Sequence, residues 1–118
     1  MNRYRKELER FKDKNFVSRA KVDKRRSKKY TSPYGNTYSV DTMLLKEVRC
    51  GVIKDNKFYI IERVHHLWIS GETSKIVNNF KIKPGHEVMF GASVIEYQYK
   101  NGMTQLGVIQ TSKKHNFK

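Results

Sequence analysis

At 118 residues the chain can build one small core and not two, and with 37% apolar residues part of its length stays outside that core. The formal net charge is +14, and residues 1–30 hold 13 of the 25 Lys and Arg against Glu7, Glu9, Asp13 and Asp23, an excess that attracts nucleic acid first and anionic membrane surface second. The lone Cys50 excludes an intrachain disulfide and a cysteine-based zinc site, and no apolar run approaches a membrane span or a secretory signal, which fits a reducing, cytoplasmic setting.

Tyr4, Leu8 and Phe11 stand at i, i+4 and i+7 and predict a short amphipathic helix ended by Asn15. At that length it either docks through those three side chains or forms only on binding. From Asn15 to Ser32 the apolar anchors are Phe16, Val17, Ala20 and Val22, and the cluster Lys24, Arg25, Arg26, Lys28 and Lys29 has almost nothing to bury. It reads as a solvated arm that a polyanion would neutralise, with Tyr30, Tyr34 and Tyr38 set around the turn Ser32-Pro33-Tyr34-Gly35-Asn36. Residues 1–38 are therefore expected to be a basic N-terminal arm and residues 39–118 a β domain.

Residues 42–53 form the first clear strand, with Leu44, Val48, Cys50 and Val52 of one parity and Gly51 where a barrel strand could bend. Asp55-Asn56-Lys57 is a turn, and residues 57–70 return as a long strand rich in β-branched and aromatic residues. Thr73-Ser74 can cap a turn or two of helix over residues 75–80. After the turn Lys83-Pro84-Gly85, Val88, Phe90, Ala92 and Val94 alternate strictly. Ile95, Tyr97 and Tyr99 then take the opposite parity, which implies a bulge or a strand bending across two sheets. Asn101-Gly102 closes a hairpin whose partner strand is residues 103–110.

The succession of two strands, a short helix and two more strands, with Lys83-Pro84-Gly85 leading into Val88-Met89-Phe90-Gly91-Ala92-Ser93-Val94, resembles an OB-fold over about residues 42–112. His66-Leu67-Trp68-Ile69 and Tyr97 add a likeness to small OB-type nucleic-acid-binding proteins of phages and mobile elements. The resemblance implies a mainly β, small OB-like antiparallel barrel carrying a short N-terminal helix and the basic arm. An OB barrel has five strands, and residues 16–22 or 38–41 could supply the fifth.

The phosphate-binding candidates are Arg19, Lys21, Lys24, Arg25, Arg26, Lys28 and Lys29, with Tyr30 and Tyr34 stacking on bases. A lysine-rich tail with no partner is the plainer alternative. Tyr59, Tyr97 and Tyr99 could form a second stacking platform beside Arg49, Arg63 and Lys100, or instead complete the core. Trp68 reads as core, among Val64, Leu67 and Ile69. His65 and His66 would point to opposite faces of a regular strand and so not share a metal ion, and His86 and His115 lack partners. No metal or cofactor is implied. Glu62, Glu72, Glu87 and Glu96 are scattered and no hydrolase or phosphate-loop motif occurs, although a nuclease could use Asp41, Glu47 and Glu62. The expected function is non-catalytic binding of single-stranded DNA or RNA, with duplex disfavoured for want of a recognition helix and no small-molecule ligand or membrane. Two alternatives share this chemistry: a phage or mobile-element protein that inhibits a host nucleoprotein machine such as a nucleic-acid-guided nuclease, and a ribosome-associated RNA binder.

Overall fold

The computed structural model describes residues 6–98 and 102–118. Tyr4, Tyr99, Lys100 and Asn101, singled out above, lie outside them. Five strands form one antiparallel sheet: β1 (Phe16–Thr31), β2 (Thr37–Lys54), β3 (Lys57–Ser70), β4 (Glu87–Gln98) and β5 (Thr104–Phe117). Their spatial order is β3-β2-β1-β4-β5. The end strands β3 and β5 also touch, so the sheet rolls into a small antiparallel barrel of the kind that the alternation implied. Among the described residues no helix is long and apolar enough to cross a membrane.

The missing fifth strand is β1, and it is the middle of the sheet. Phe16, Ser18, Ala20 and Val22 face the core while residues 16–21 pair with β4 on one side and residues 17–31 with β2 on the other. The expected division at residue 38 therefore falls inside a hairpin, one residue after β2 begins. Residues 24–31 are not a loose arm. Pairing with residues 37–44 holds them extended even though they bury little.

Beyond the barrel this hairpin stands alone. The β4 side of β1 ends where the Val22 N–H donates to the His86 carbonyl and the Gly85 N–H to the Val22 carbonyl. The β3 side of β2 ends where the Gly71 N–H donates to the Asp41 carbonyl. Past these points β1 and β2 pair only with each other, as a two-stranded ribbon closed by the turn at residues 32–36. The overall dimensions, 52 × 34 × 24 Å, reflect that projection.

The barrel core is filled by Phe16, Ala20, Val22, Met43, Leu45, Val48, Leu67, Val88, Phe90 and Leu106, among others. The predicted N-terminal helix is a 3-10 helix over Lys6–Phe11, docked by Leu8 and Phe11. It touches β3, β4 and β5 and is tied down by Arg10–Glu62 at 2.8 Å and Lys12–Glu96 at 2.5 Å, so it covers the seam between the two end strands. A second 3-10 helix, Lys75–Asn78, packs Ile76 and Val77 into the core. Ser74 does not cap it. Instead the Ser74 hydroxyl accepts the Gln110 backbone N–H at 3.0 Å, and the Gln110 side-chain oxygen accepts the Ile76 N–H at 2.7 Å.

Irregularities in register decide which side chains face outward. Glu47, at φ +50°, interrupts β2, so Leu44 faces the opposite side from Val48 and Cys50 instead of sharing their parity. Asp23 is an extra residue in β1 between Val22 and Lys24. A further shift separates Cys50 from Gly51, where β2 bends as expected. No shift occurs between Val94 and Ile95; the irregularity of this strand pair lies at Gly91, opposite residues 111–114 of β5. Asp55 and Asn56, both at positive φ, make the two-residue β2–β3 turn.

Candidate nucleic-acid interface

Residues directly opposed in an antiparallel pair share a face, so the register lays out the outer surface of β1, β2 and β3 in rows. The first row is Arg19, Arg49 and Arg63, and the second is Lys21, Lys46 and His66. Next come Lys24, Leu44 and Trp68, then Arg26 with Thr42, Lys28 with Val40, and Tyr30 with Tyr38. From Arg19 to Tyr30 the stripe runs about 36 Å at roughly 3.3 Å per residue.

Contacts confirm the shared face. The Arg26 guanidinium lies 5.4 Å from the centre of the Trp68 ring, and Tyr30 stacks on Tyr38 with centroids 5.5 Å apart. Trp68 is 41% exposed, which overturns its assignment to the core. Leu67 and Ile69, its neighbours in sequence, point inward in its place. Tyr34 is 92% exposed at the ribbon tip.

Three carboxylates sit among these cations. Glu87 accepts a hydrogen bond from Arg19 Nε and lies 3.6 Å from Arg49. Lys21 pairs with Glu47 at 3.5 Å and Lys46 with Asp23 at 3.6 Å. The hydrogen bond from Arg19 holds the Glu87 carboxyl below the usual glutamate range; partial burial opposes that shift, and the charges of Arg19, Arg49 and Lys118 reinforce it. Lys24, Arg26, Lys28 and Arg63 have no ion pair among the described residues.

The proposed phosphate ligands thus divide by parity. Lys24, Arg26, Lys28 and Tyr30 share the stripe with Arg19 and Lys21, whereas Lys29 stands opposite Ser39 on the other face. Arg25 is part of the scaffold. Its guanidinium donates to the carbonyls of Asn79 at 3.0 Å, Ile82 at 2.9 Å and Val77, and lies 5.5 Å from the Phe80 ring centre. It clamps the base of the ribbon to the loop after the second 3-10 helix. Asp41, the ribbon's carboxylate, accepts the Ser27 hydroxyl at 2.6 Å on that same side, away from the stripe.

The second platform does not assemble as expected. Arg49 and Arg63 belong to the stripe, but Tyr97 pairs in β4–β5, where a Cβ on Gly107 would meet its ring, and Tyr59 stands opposite Val52 in β2–β3. The histidines also differ from expectation. The irregularity at Glu47 brings Nδ1 of His65 and His66 to 2.5 Å, so they share a side. Among the described residues no group of three or more His, Cys, Asp or Glu could hold a metal ion. Cys50 is fully buried, and burial with the nearby Glu62 pushes its thiol up to about 12.

Lys46, His66, Trp68 and Tyr38 join the stripe although sequence reasoning had not assigned them to a site. The signal for Trp68 was present in the apolar parity of Leu67 and Ile69. Comparison of the chain with protein-family models, with curated proteins and with solved structures returned no match.

Proposed function

We propose that the outer stripe of β1–β3 and its ribbon bind single-stranded DNA or RNA without catalysis. One observation carries this reading. Like charges stand directly opposite one another across neighbouring strands, Arg19–Arg49–Arg63 and Lys21–Lys46, an arrangement that weakens a sheet. A polyanion laid along the stripe would relieve that repulsion. The aromatic groups favour a single strand over a duplex, because Trp68, Tyr30, Tyr34 and Tyr38 present ring surface to solvent among the cations and unpaired bases can stack there.

The test is fluorescence anisotropy of the full chain with labelled single-stranded DNA, single-stranded RNA and duplex DNA over a range of salt. Removing residues 1–30 would delete the central strand, so charge is removed in place by Lys24→Ala with Lys28→Ala. Single strands should bind more tightly than duplex, and the double variant should flatten the dependence of log K on log salt by about 1.4, or about 0.7 per phosphate contact. Salt-insensitive binding, or a slope that the double variant leaves unchanged, would sink the proposal. Tighter binding of duplex would redirect it to the ribbon lying in a major groove, which admits two strands. A stoichiometric host protein captured without any affinity for oligonucleotide would instead favour the host-machinery inhibitor, and co-sedimentation with ribosomal particles the ribosome-associated binder.

A further inference from the structure

Among the rows, the one at the barrel end differs in kind. Beyond the second row, where Lys21 and Lys46 are also opposed, the cations follow one another along the strand direction, as a groove tracking successive phosphates requires. Arg19, Arg49 and Arg63 instead lie across three adjacent strands, at a strand spacing of about 4.8 Å, so their guanidinium groups can converge on a single point. An open cavity of about 370 Å³ lies there, lined by Lys21, Glu47, Arg49, Arg63 and Glu87.

Within this cavity Arg49 is under-used. Its Nε is buried and has no hydrogen-bond partner among the described residues, and its ion pair with Glu87, itself engaged by Arg19, is long at 3.6 Å. Arg63 is exposed and has no ion pair among the described residues. Lys21, Arg49 and Arg63 line it with Glu47 and Glu87, and Glu87 is already engaged by Arg19 from outside the lining, so two positive charges are left unmatched there. A phosphodiester brings one negative charge. A phosphomonoester brings about 1.5 to 2 at neutral pH and offers three oxygens to a planar guanidinium fork.

From this convergence we infer that the cavity seats a terminal phosphate, so that the protein holds a strand by its phosphorylated end while the rest lies along the stripe. This rests on the single-strand reading above. Arg49 and Arg63 would clamp the monoester, Lys21 would add a point charge, and Glu87 would keep Arg19 aligned.

The experiment compares four single strands with the full chain: a 5′-phosphorylated form, a 3′-phosphorylated form, a form with hydroxyls at both ends, and a hydroxyl-ended form two nucleotides longer, whose two extra phosphodiesters match the added charge. One phosphorylated form should bind about tenfold more tightly than the longer hydroxyl-ended strand, and which one does so identifies the end. Arg63→Ala should bring that ratio to about one. Lys28→Ala should weaken all four strands and keep the ratio, with the melting temperature of both variants checked alongside. Equal binding of phosphorylated and hydroxyl-ended strands, or a ratio that survives Arg63→Ala, overturns the end-binding inference and leaves the stripe as a general interface. Failure of all four strands to bind overturns both.

Discussion

Arg25 and Arg26 are adjacent in sequence and chemically identical, yet they should fail in opposite ways. Arg25→Ala removes three hydrogen bonds from a guanidinium to the carbonyls of Val77, Asn79 and Ile82, and the ring contact with Phe80. A hydrogen bond to a charged group contributes roughly 1.5–3 kcal/mol where it is shielded from water. These are only partly buried and share one donor group, so about 3 kcal/mol in total is a fair figure. Unfolding entropy of about 2.1 cal/mol/K per residue gives roughly 250 cal/mol/K for this chain, and the melting temperature should fall by about 12 °C. Arg26→Ala loses one exposed contact with Trp68, worth about 0.5–1 kcal/mol, and should melt within about 4 °C of the wild type. Its cost appears in binding, where loss of a phosphate contact of about 1 kcal/mol weakens a single strand about fivefold. Thermal melts and anisotropy on both variants decide the matter. Equal melting temperatures, or an Arg26→Ala variant that melts as low as Arg25→Ala, would refute the assignment of the two side chains to opposite faces.

Other outcomes follow from the same geometry. The ionised form of Glu87 is favoured in the folded state, so its stabilising contribution is complete above the ordinary glutamate range and disappears as pH falls through the depressed folded value; melts between pH 3 and 6 should show a shallower acid limb for Glu87→Gln. With its thiol raised to about 12 and fully buried, Cys50 should react with a neutral-pH thiol reagent only at the rate of unfolding, and rapid labelling of the folded chain would contradict that burial. Gly51→Ala places a methyl group against the backbone carbonyl of Tyr59, which cannot swing aside as a side chain could, and should abolish a cooperative melt. Gln105 is buried with neither side-chain polar atom hydrogen-bonded among the described residues, so Gln105→Leu should raise the melting temperature by about 4 °C, corresponding to roughly 1 kcal/mol.

What could be read from the residues depended on whether burial or pairing sets the strand. Val88, Phe90 and Ala92 fill the core from an unbroken stretch of β4, so their alternation is faithful to the structure. Asp55-Asn56 adopt the positive φ values that such a pair tolerates, and the β2–β3 turn falls where the sequence implied. Residues 24–31 carry no apolar alternation because, apart from the half-buried Arg25, they are exposed, and only the partner strand reveals them as β. Leu44 was misplaced because a single irregular residue, Glu47, reverses parity along β2, and nothing about a glutamate announces a positive φ, whereas Trp68 could have been placed from the inward parity of Leu67 and Ile69. The arginine row is invisible in principle from composition or spacing. It depends on the registers of three strands whose members are 30 and 14 residues apart, and register is a property of the assembled sheet.

A middle strand that precedes both of its partners in sequence also shapes how the molecule is made. Residues 16–31 leave the ribosome before β2 and pair with it soon afterwards, but the other edge of residues 16–21 waits for β4, about 70 residues later. Until then Phe16 and Ala20 sit on an open edge beside a ribbon already crowded with positive charge, and the closing of a distant loop sets the pace of completion. Mutual repulsion between two such half-built chains would keep those unsatisfied edges from meeting. The same lysines and arginines would then protect the molecule during synthesis before they meet any partner.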